Sequence, residues 1–126
     1  RSFLRGFQEI DRIIQNSHPV FVVVWLGSVL SLLAVTVMGF GQLDGWAQGL
    51  LIAATGLYLV GVQMPTMRGN VPLNNQLQAL ELTTLSETAL AEARESFEPS
   101  WNRLNLIRTC LCLVVAVLLI LVGILR

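Results

Sequence analysis

The chain has 126 residues, of which 54% are hydrophobic and only 13% charged, with a mean hydropathy of +0.67. That balance is too apolar for a water-soluble domain and puts the chain among integral membrane proteins. Eight basic residues, every one of them Arg, match eight acidic ones, which excludes a basic face for nucleic acid and an acidic tail for a basic partner.

The first residue is Arg1 rather than Met, so the expectation is that an N-terminal piece precedes it. Phe3, Leu4, Phe7, Ile10, Ile13 and Ile14 then recur at helical spacing, with Arg5, Gln8, Glu9, Arg12 and Gln15 on the other face. This predicts an amphipathic helix over 2–16 that lies against a membrane surface or a partner helix. His18, the only histidine, stands beside Pro19 at a helix start. A single imidazole cannot build a metal site of two or more, so we read it as an interfacial residue rather than a ligand, and expect no metal.

From 19 to 40 there is no charge in 22 residues, enough to cross a hydrocarbon core of roughly 30 Å at about 1.5 Å per residue. Gly39, Gly41, Asp44 and Gly45 make a short turn, and Trp46 follows as an interfacial aromatic. A second span is predicted over about 46–64. Its Gly49, Ala53, Ala54 and Gly56 offer small-residue surfaces for close approach of another helix.

Pro65 is expected to end that span, because composition turns polar from Thr66 to Asn105. Within this extramembrane segment, 66–104, the residues 73–97 are good helix formers with a ragged apolar stripe, so we predict a helix that stops before Pro99. A third span, about 105–125, is almost wholly aliphatic apart from Arg108. Cys110 and Cys112 are two apart on that helix and point away from each other, so they are read as small apolar residues rather than a redox or metal pair.

Arg1, Arg5, Arg12, Arg68, Arg94 and Arg103 fall on the side shared by the amphipathic helix and the long connection, against Arg126 alone on the other. The positive-inside tendency puts the long connection in the cytoplasm, and the membrane expected is a bacterial inner one, cytoplasmic or intracytoplasmic. The fold expected is all-α, a transmembrane helix bundle forming one membrane domain over 1–126.

The polar residues that stand out are Asn70, Asn74 and Asn75 beyond the second span, and Trp101, Asn105 and Arg108 entering the third. Positions 101, 105 and 108 fall within an arc of about 60° on a helix. An Arg within an apolar helix costs at least about 2.5 kcal/mol at the bilayer centre unless it finds partners. Arg108 is therefore expected to face inward, with Asn70, Asn74 and Asn105 as acceptors. Two readings stand: these amides merely satisfy Arg108 and cap helix ends, or they build a site.

The string Asn70-Val-Pro-Leu-Asn74, followed by Trp101-Asn-Arg-Leu-Asn105-Leu-Ile-Arg108-Thr109, resembles the signature of the anthrone-oxygenase-like family of small integral membrane proteins. That family's pattern is Asn-x-Pro-x-Asn after a third span and Trp-x-x-Trp-Asn-His-x-Arg-Thr at the start of a fourth. The resemblance covers most of the chain and implies four spans in the full protein, three of them here. Ile10-Asp-Arg12 is similar to the family's Ile-Asn-Arg segment. Asp11 stands where the family usually has Asn, Leu104 replaces the second Trp, and Leu106 replaces the His.

The resemblance implies oxidation of an anthrone methylene to a carbonyl by molecular oxygen, with no cofactor. Arg108 would then stabilise an oxyanion and Asp11 would serve as base. Asn70, Asn74 and Asn105 would orient a lipophilic aromatic substrate, with Trp101 as a stacking wall. The alternative is a non-catalytic accessory or structural subunit of a larger membrane complex, or a homo-oligomer, in which the polar cluster is internal glue. Apart from the bilayer and these, the sequence names no partner.

Overall fold

Uncharged runs in a bilayer must satisfy their backbone internally, and a helix does so within one segment. The computed structural model describes residues 2–16 and 18–125, so Arg1 and Arg126 of the charge count lie outside the described residues. Among the described residues there are four helices and no strand. We label them α1 (Ser2–Gln15), α2 (Pro19–Gly39), α3 (Gly45–Gln78) and α4 (Glu87–Leu125). The last three are long and apolar enough to cross a membrane, as expected of an integral membrane protein.

Pro19 at the first turn of α2 gives up an N–H that would lack a partner there in any case. The turn after α2 uses Gly41 at φ +77°, which a residue with a Cβ rarely adopts. Asp44 then caps α3, its carboxylate accepting from the Ala47 N–H at 2.9 Å.

Pro65 does not end the second apolar helix, contrary to the sequence expectation. α3 continues through it to Gln78, with π turns over Leu57–Gln63 and Thr66–Asn70. Each π turn shifts the carbonyl ladder by one residue just before a proline, Pro65 and then Pro72, and so accommodates a ring that lacks an N–H. The break falls instead over 79–86. There the Thr84 hydroxyl donates to the Glu81 carbonyl at 2.9 Å, and Ser86 Oγ accepts from the Ala89 N–H at 3.2 Å. Such side chains compete with helical bonding and favour turns and caps. The predicted stop before Pro99 is also absent, since α4 runs through Pro99 unbroken. Pro99 is exposed, so the carbonyl it frees can turn to water.

At about 1.5 Å per residue, 39-residue α4 is near 58 Å long and 34-residue α3 near 51 Å. Both outrun a hydrocarbon layer of roughly 30 Å. The end of α3 and the start of α4 therefore project together, and α1 packs on them. The core sits in this projecting part: Leu4, Leu77, Leu82, Leu90 and Phe97 are buried against one another, with Phe7, Leu73 and Trp101 beside them.

Within the apolar part, α3 and α4 make the closest helix pair. Of the small residues expected to serve close approach, Ala54 is fully buried, whereas Gly49, Ala53 and Gly56 are exposed. The packing face is Ala47, Ala54 and Gly61, two turns apart each time. A Cβ on Gly61 would lie 3.0 Å from Leu111 Cδ1. α2 is apolar all round, and three side-chain bonds hold it to α3: Trp25 Nε1 to Gln63 Oε1 at 3.0 Å, Ser28 to Tyr58 at 2.9 Å and Thr36 to Thr55 at 2.7 Å. Cys110 and Cys112 are both free.

Candidate functional site

The α1 residues nearest the bundle are Leu4, Phe7 and Asp11, one helical stripe that turns inward while Phe3, Ile10, Ile13 and Ile14 stay exposed. Burying Leu4 and Phe7 fixes the rotation of α1, and that rotation carries a carboxylate into the interior. Asp11 is only 4% exposed. A carboxylate this deep needs hydrogen-bond donors, and three side-chain amides supply them. Asn74 Nδ2 donates to Asp11 Oδ1 at 2.7 Å, while Gln15 Nε2 at 2.7 Å and Gln78 Nε2 at 3.0 Å donate to Oδ2.

Asn74 is held from its other side. Trp101 Nε1 donates to Asn74 Oδ1 at 2.9 Å, so this amide lies between an indole donor and a carboxylate acceptor. The Trp101 ring is packed edge-on against Phe7, centroids 5.0 Å apart, and stacked with Phe97 at 6.3 Å. Gln8 completes the attachment of α1, donating to the carbonyls of Leu77 at 2.7 Å and Leu80 at 3.0 Å.

α4 presents Phe97, Trp101, Leu104, Asn105 and Arg108 toward the bundle, all buried or half-buried, whereas Arg103, Leu106 and Ile107 are exposed. This is the arc expected from the spacing. Arg108 Nη2 donates to Asn105 Oδ1, which uses one of the five guanidinium N–H groups.

A cavity of about 440 Å³ lies where α1, α3 and α4 meet the start of α2. Asp11, Asn70, Asn74, Trp101 and Arg108 line it, together with Thr66 and the apolar side chains Phe7, Ile10, Ile14, Phe21 and Val71. Five of the six residues expected from the sequence thus come together. The sixth, Asn105, does not line the cavity but bonds Arg108. The expected pairing of Arg108 with all three amides is not what forms: Asn105 alone meets it, Asn74 serves Asp11, and Asn70 meets neither. Asn70 is 3% exposed, and neither its Oδ1 nor its Nδ2 has a hydrogen-bond partner among the described residues. A buried amide left this way costs about 1–3 kcal/mol per unmade bond.

Two bonding partners of Asp11, Gln15 and Gln78, were not singled out in the sequence, where Gln8 and Gln15 fall on the polar face of α1. The readable signal is spacing: Gln15 is four residues after Asp11, and Gln78 is four after Asn74, so each sets an amide on the same helix face as a residue of the site.

A larger cavity, about 630 Å³, lies at the other end of the bundle between α2, α3 and α4. Its lining, from Ser28 and Leu32 to Leu119 and Gly123, contains no ionisable group, whereas the smaller cavity brings a carboxylate and a guanidinium within apolar walls. On the exposed polar half of α4, before its aliphatic stretch, the Arg94 guanidinium donates to the Glu98 carboxylate. That hydrogen bond raises Arg94 above its ordinary range and lowers Glu98 below its own.

What the cavity offers is one acceptor-only carboxylate and one donor-only guanidinium on opposite helices, in apolar walls, without a salt bridge between them. No curated protein and no solved structure matches the chain. The sequence model described as anthrone oxygenase matches residues 11–118, a stretch that begins at Asp11 and contains every residue of the cavity named above except Phe7 and Ile10. The chain belongs to the anthrone oxygenase family.

Proposed function

We propose that this chain oxygenates a flat, lipophilic polycyclic phenol without a cofactor, converting a ring methylene to a carbonyl. The observation that carries the reading is that Asp11 and Arg108 line one apolar-walled cavity at the rim of the membrane-spanning helices. Asp11 Oδ1 takes one amide bond from Asn74 and keeps a lone pair for a substrate proton. Arg108 keeps four N–H donors for a developing oxyanion.

The chemistry balances as follows. The methylene carbon loses a proton to Asp11, and its electron pair delocalises onto the ring oxygen against Arg108. The carbanion reduces O₂, and a carbon–oxygen bond forms to give a hydroperoxide after proton return. The O–O bond then breaks as the second methylene proton leaves, yielding carbonyl and water. One O₂ is consumed per methylene, with one oxygen atom in the product and the other in water.

Exposed apolar side chains around the cavity, Ile10 at 65% and Phe21 and Val71 at 42% each, support entry of the substrate sideways from the lipid. The charge count of the sequence supports placing the projecting part of α3 and α4 on the cytoplasmic side, and the membrane we propose is a bacterial inner one. Incubation of the purified protein with an anthrone under ¹⁸O₂ tests the proposal. Label in the new carbonyl at one atom per molecule is expected, and an unlabelled carbonyl, its oxygen drawn from water, would refute it.

A second reading, an accessory subunit packed into a larger membrane assembly or a homo-oligomer, is favoured by one observation. Asn74, Trp101, Gln15 and Gln78 direct their bonds to one another and to Asp11, as internal glue would. Recovery with a stoichiometric partner and no oxygen uptake would favour it.

A further inference from the structure

The carboxylate of Asp11 is not held symmetrically. Oδ2 accepts two amide bonds, from Gln15 at 2.7 Å and Gln78 at 3.0 Å, whereas Oδ1 accepts one, from Asn74 at 2.7 Å. A carboxylate oxygen has two lone-pair sites, so Oδ2 is filled and Oδ1 keeps one. Asn74 lines the cavity, and Gln15 and Gln78 do not. The filled oxygen therefore faces the protein and the open one faces the cavity.

Nothing in Asp11 itself sets that choice, because the last torsion of an Asp side chain is broad and two-fold. Its donors must set it, and they are not equivalent. Gln15 lies four residues after Asp11 on the same helix and is exposed, so it travels with α1 and can trade its bonds with water. Asn74 and Gln78 belong to α3, one turn apart, and each takes a different oxygen of the carboxylate. Together they hold its plane from a single helix face. Gln78 is also anchored: its Nε2 donates to the backbone carbonyl of Gln8 at 2.8 Å, while Gln8 Nε2 donates back to the carbonyls of Leu77 and Leu80. This reciprocal pair joins α1 to the end of α3, and so ties the register between the two helices to the aim of the carboxylate.

We infer that Gln78 is a positioning residue of this site: with Asn74 it clamps Asp11 so that the open lone pair of Oδ1 is turned into the cavity. The inference rests on the proposed function for what that lone pair meets. Gln78 itself touches no substrate and moves no proton.

The test is Gln78→Met, of similar length but without a donor, made in the full chain in detergent and read by two measurements. Steady-state oxygen uptake with an anthrone should show kcat lowered by about tenfold, one hydrogen bond's worth, with KM within about twofold of wild type. Gln76→Met, at an exposed position of the same helix, should change neither constant. The infrared difference spectrum reads the clamp without turnover: the carboxylate band that Asp11→Asn removes should shift and broaden in Gln78→Met. Gln78→Asn keeps the amide but falls one methylene short, so it should behave like Gln78→Met and provides a second variant should the first fail to fold. Thermal melting establishes that each is folded. With the wild type turning over, an unchanged kcat or a change confined to KM in a folded variant overturns the inference, and an unmoved band overturns it whether or not there is turnover. A shifted band with no oxygen uptake by the wild type would overturn the oxygenase reading and leave the clamp on Asp11 standing.

Discussion

Trp101 donates its indole N–H to the side-chain oxygen of Asn74 at 2.9 Å, and this bond decides which end of the amide meets Asp11. An indole nitrogen cannot accept, so the Asn74 oxygen must face it and the Asn74 N–H₂ must face the carboxylate. In the proposed chemistry Trp101 is thereby a positioning residue for Asp11, acting through Asn74.

Trp101→Phe keeps an aromatic ring beside Phe7 but removes the donor. Asn74 can then rotate, and kcat for anthrone oxidation should fall about tenfold with KM changed less, the loss of one hydrogen bond's worth of positioning. Steady-state oxygen uptake separates the two constants. An effect confined to KM would mean that Trp101 contacts substrate instead.

Asp11→Asn replaces a carboxylate that accepts three amide bonds with an amide that has one acceptor oxygen and brings two donors of its own. The donors of Gln15, Gln78 and Asn74 cannot all be met, so the folded state should lose about 1–3 kcal/mol. Turnover should drop by about 10²–10⁴, the usual contribution of a general base. Thermal melts and oxygen uptake read the two effects separately, and a folded Asp11→Asn with full turnover would remove Asp11 from the chemistry. The variant also restores the residue usual in the family, where the pattern has a His in place of Leu106. Leu106 is 64% exposed and does not line the cavity.

The packing of α3 on α4 predicts opposite outcomes at two glycines. A side chain on Gly61 meets Leu111 at 3.0 Å, whereas one on Gly49 meets nothing within 4 Å. Gly61→Val should cost about 1–3 kcal/mol by overpacking, and Gly49→Val should leave the melting temperature in detergent nearly unchanged. Equal effects would mean that a different face joins the two helices.

The Arg94–Glu98 bond predicts a small pH effect with a definite sign. Because the bond lowers Glu98, its contribution is present above the ordinary Glu range and is lost as pH falls through the depressed value. The difference in melting temperature between wild type and Glu98→Gln should therefore be small at neutral pH and shrink toward zero in acid. Arg94 is exposed and Glu98 only half-buried at the surface, so solvent screens the pair and a large difference at neutral pH would contradict this placement.

The spans were legible because 22 residues without a charge leave few other folds, and the inward arc of Trp101, Asn105 and Arg108 followed from helical period alone. Pro65 and Pro99 misled for one reason: a proline reads as a stop only while the ladder keeps one register or its freed carbonyl is buried. The π turns remove the first condition before Pro65, and exposure removes the second at Pro99. Spacing puts Gln15 beside Asp11 and Gln78 beside Asn74, but the sequence does not say what they meet, because an amide on a polar face looks the same whether it meets water or a carboxylate. Only the docking of α1 through Leu4 and Phe7, a tertiary event, decides which.

The account turns on the Arg108 guanidinium acting on a substrate inside the cavity, and the most direct measurement is oxygen consumption by purified Arg108→Ala with an anthrone, compared with wild type. The account predicts that the folded variant loses about 10²–10³ in kcat, as when one anion-stabilising donor is removed elsewhere. Wild-type oxygen consumption by folded Arg108→Ala would contradict it.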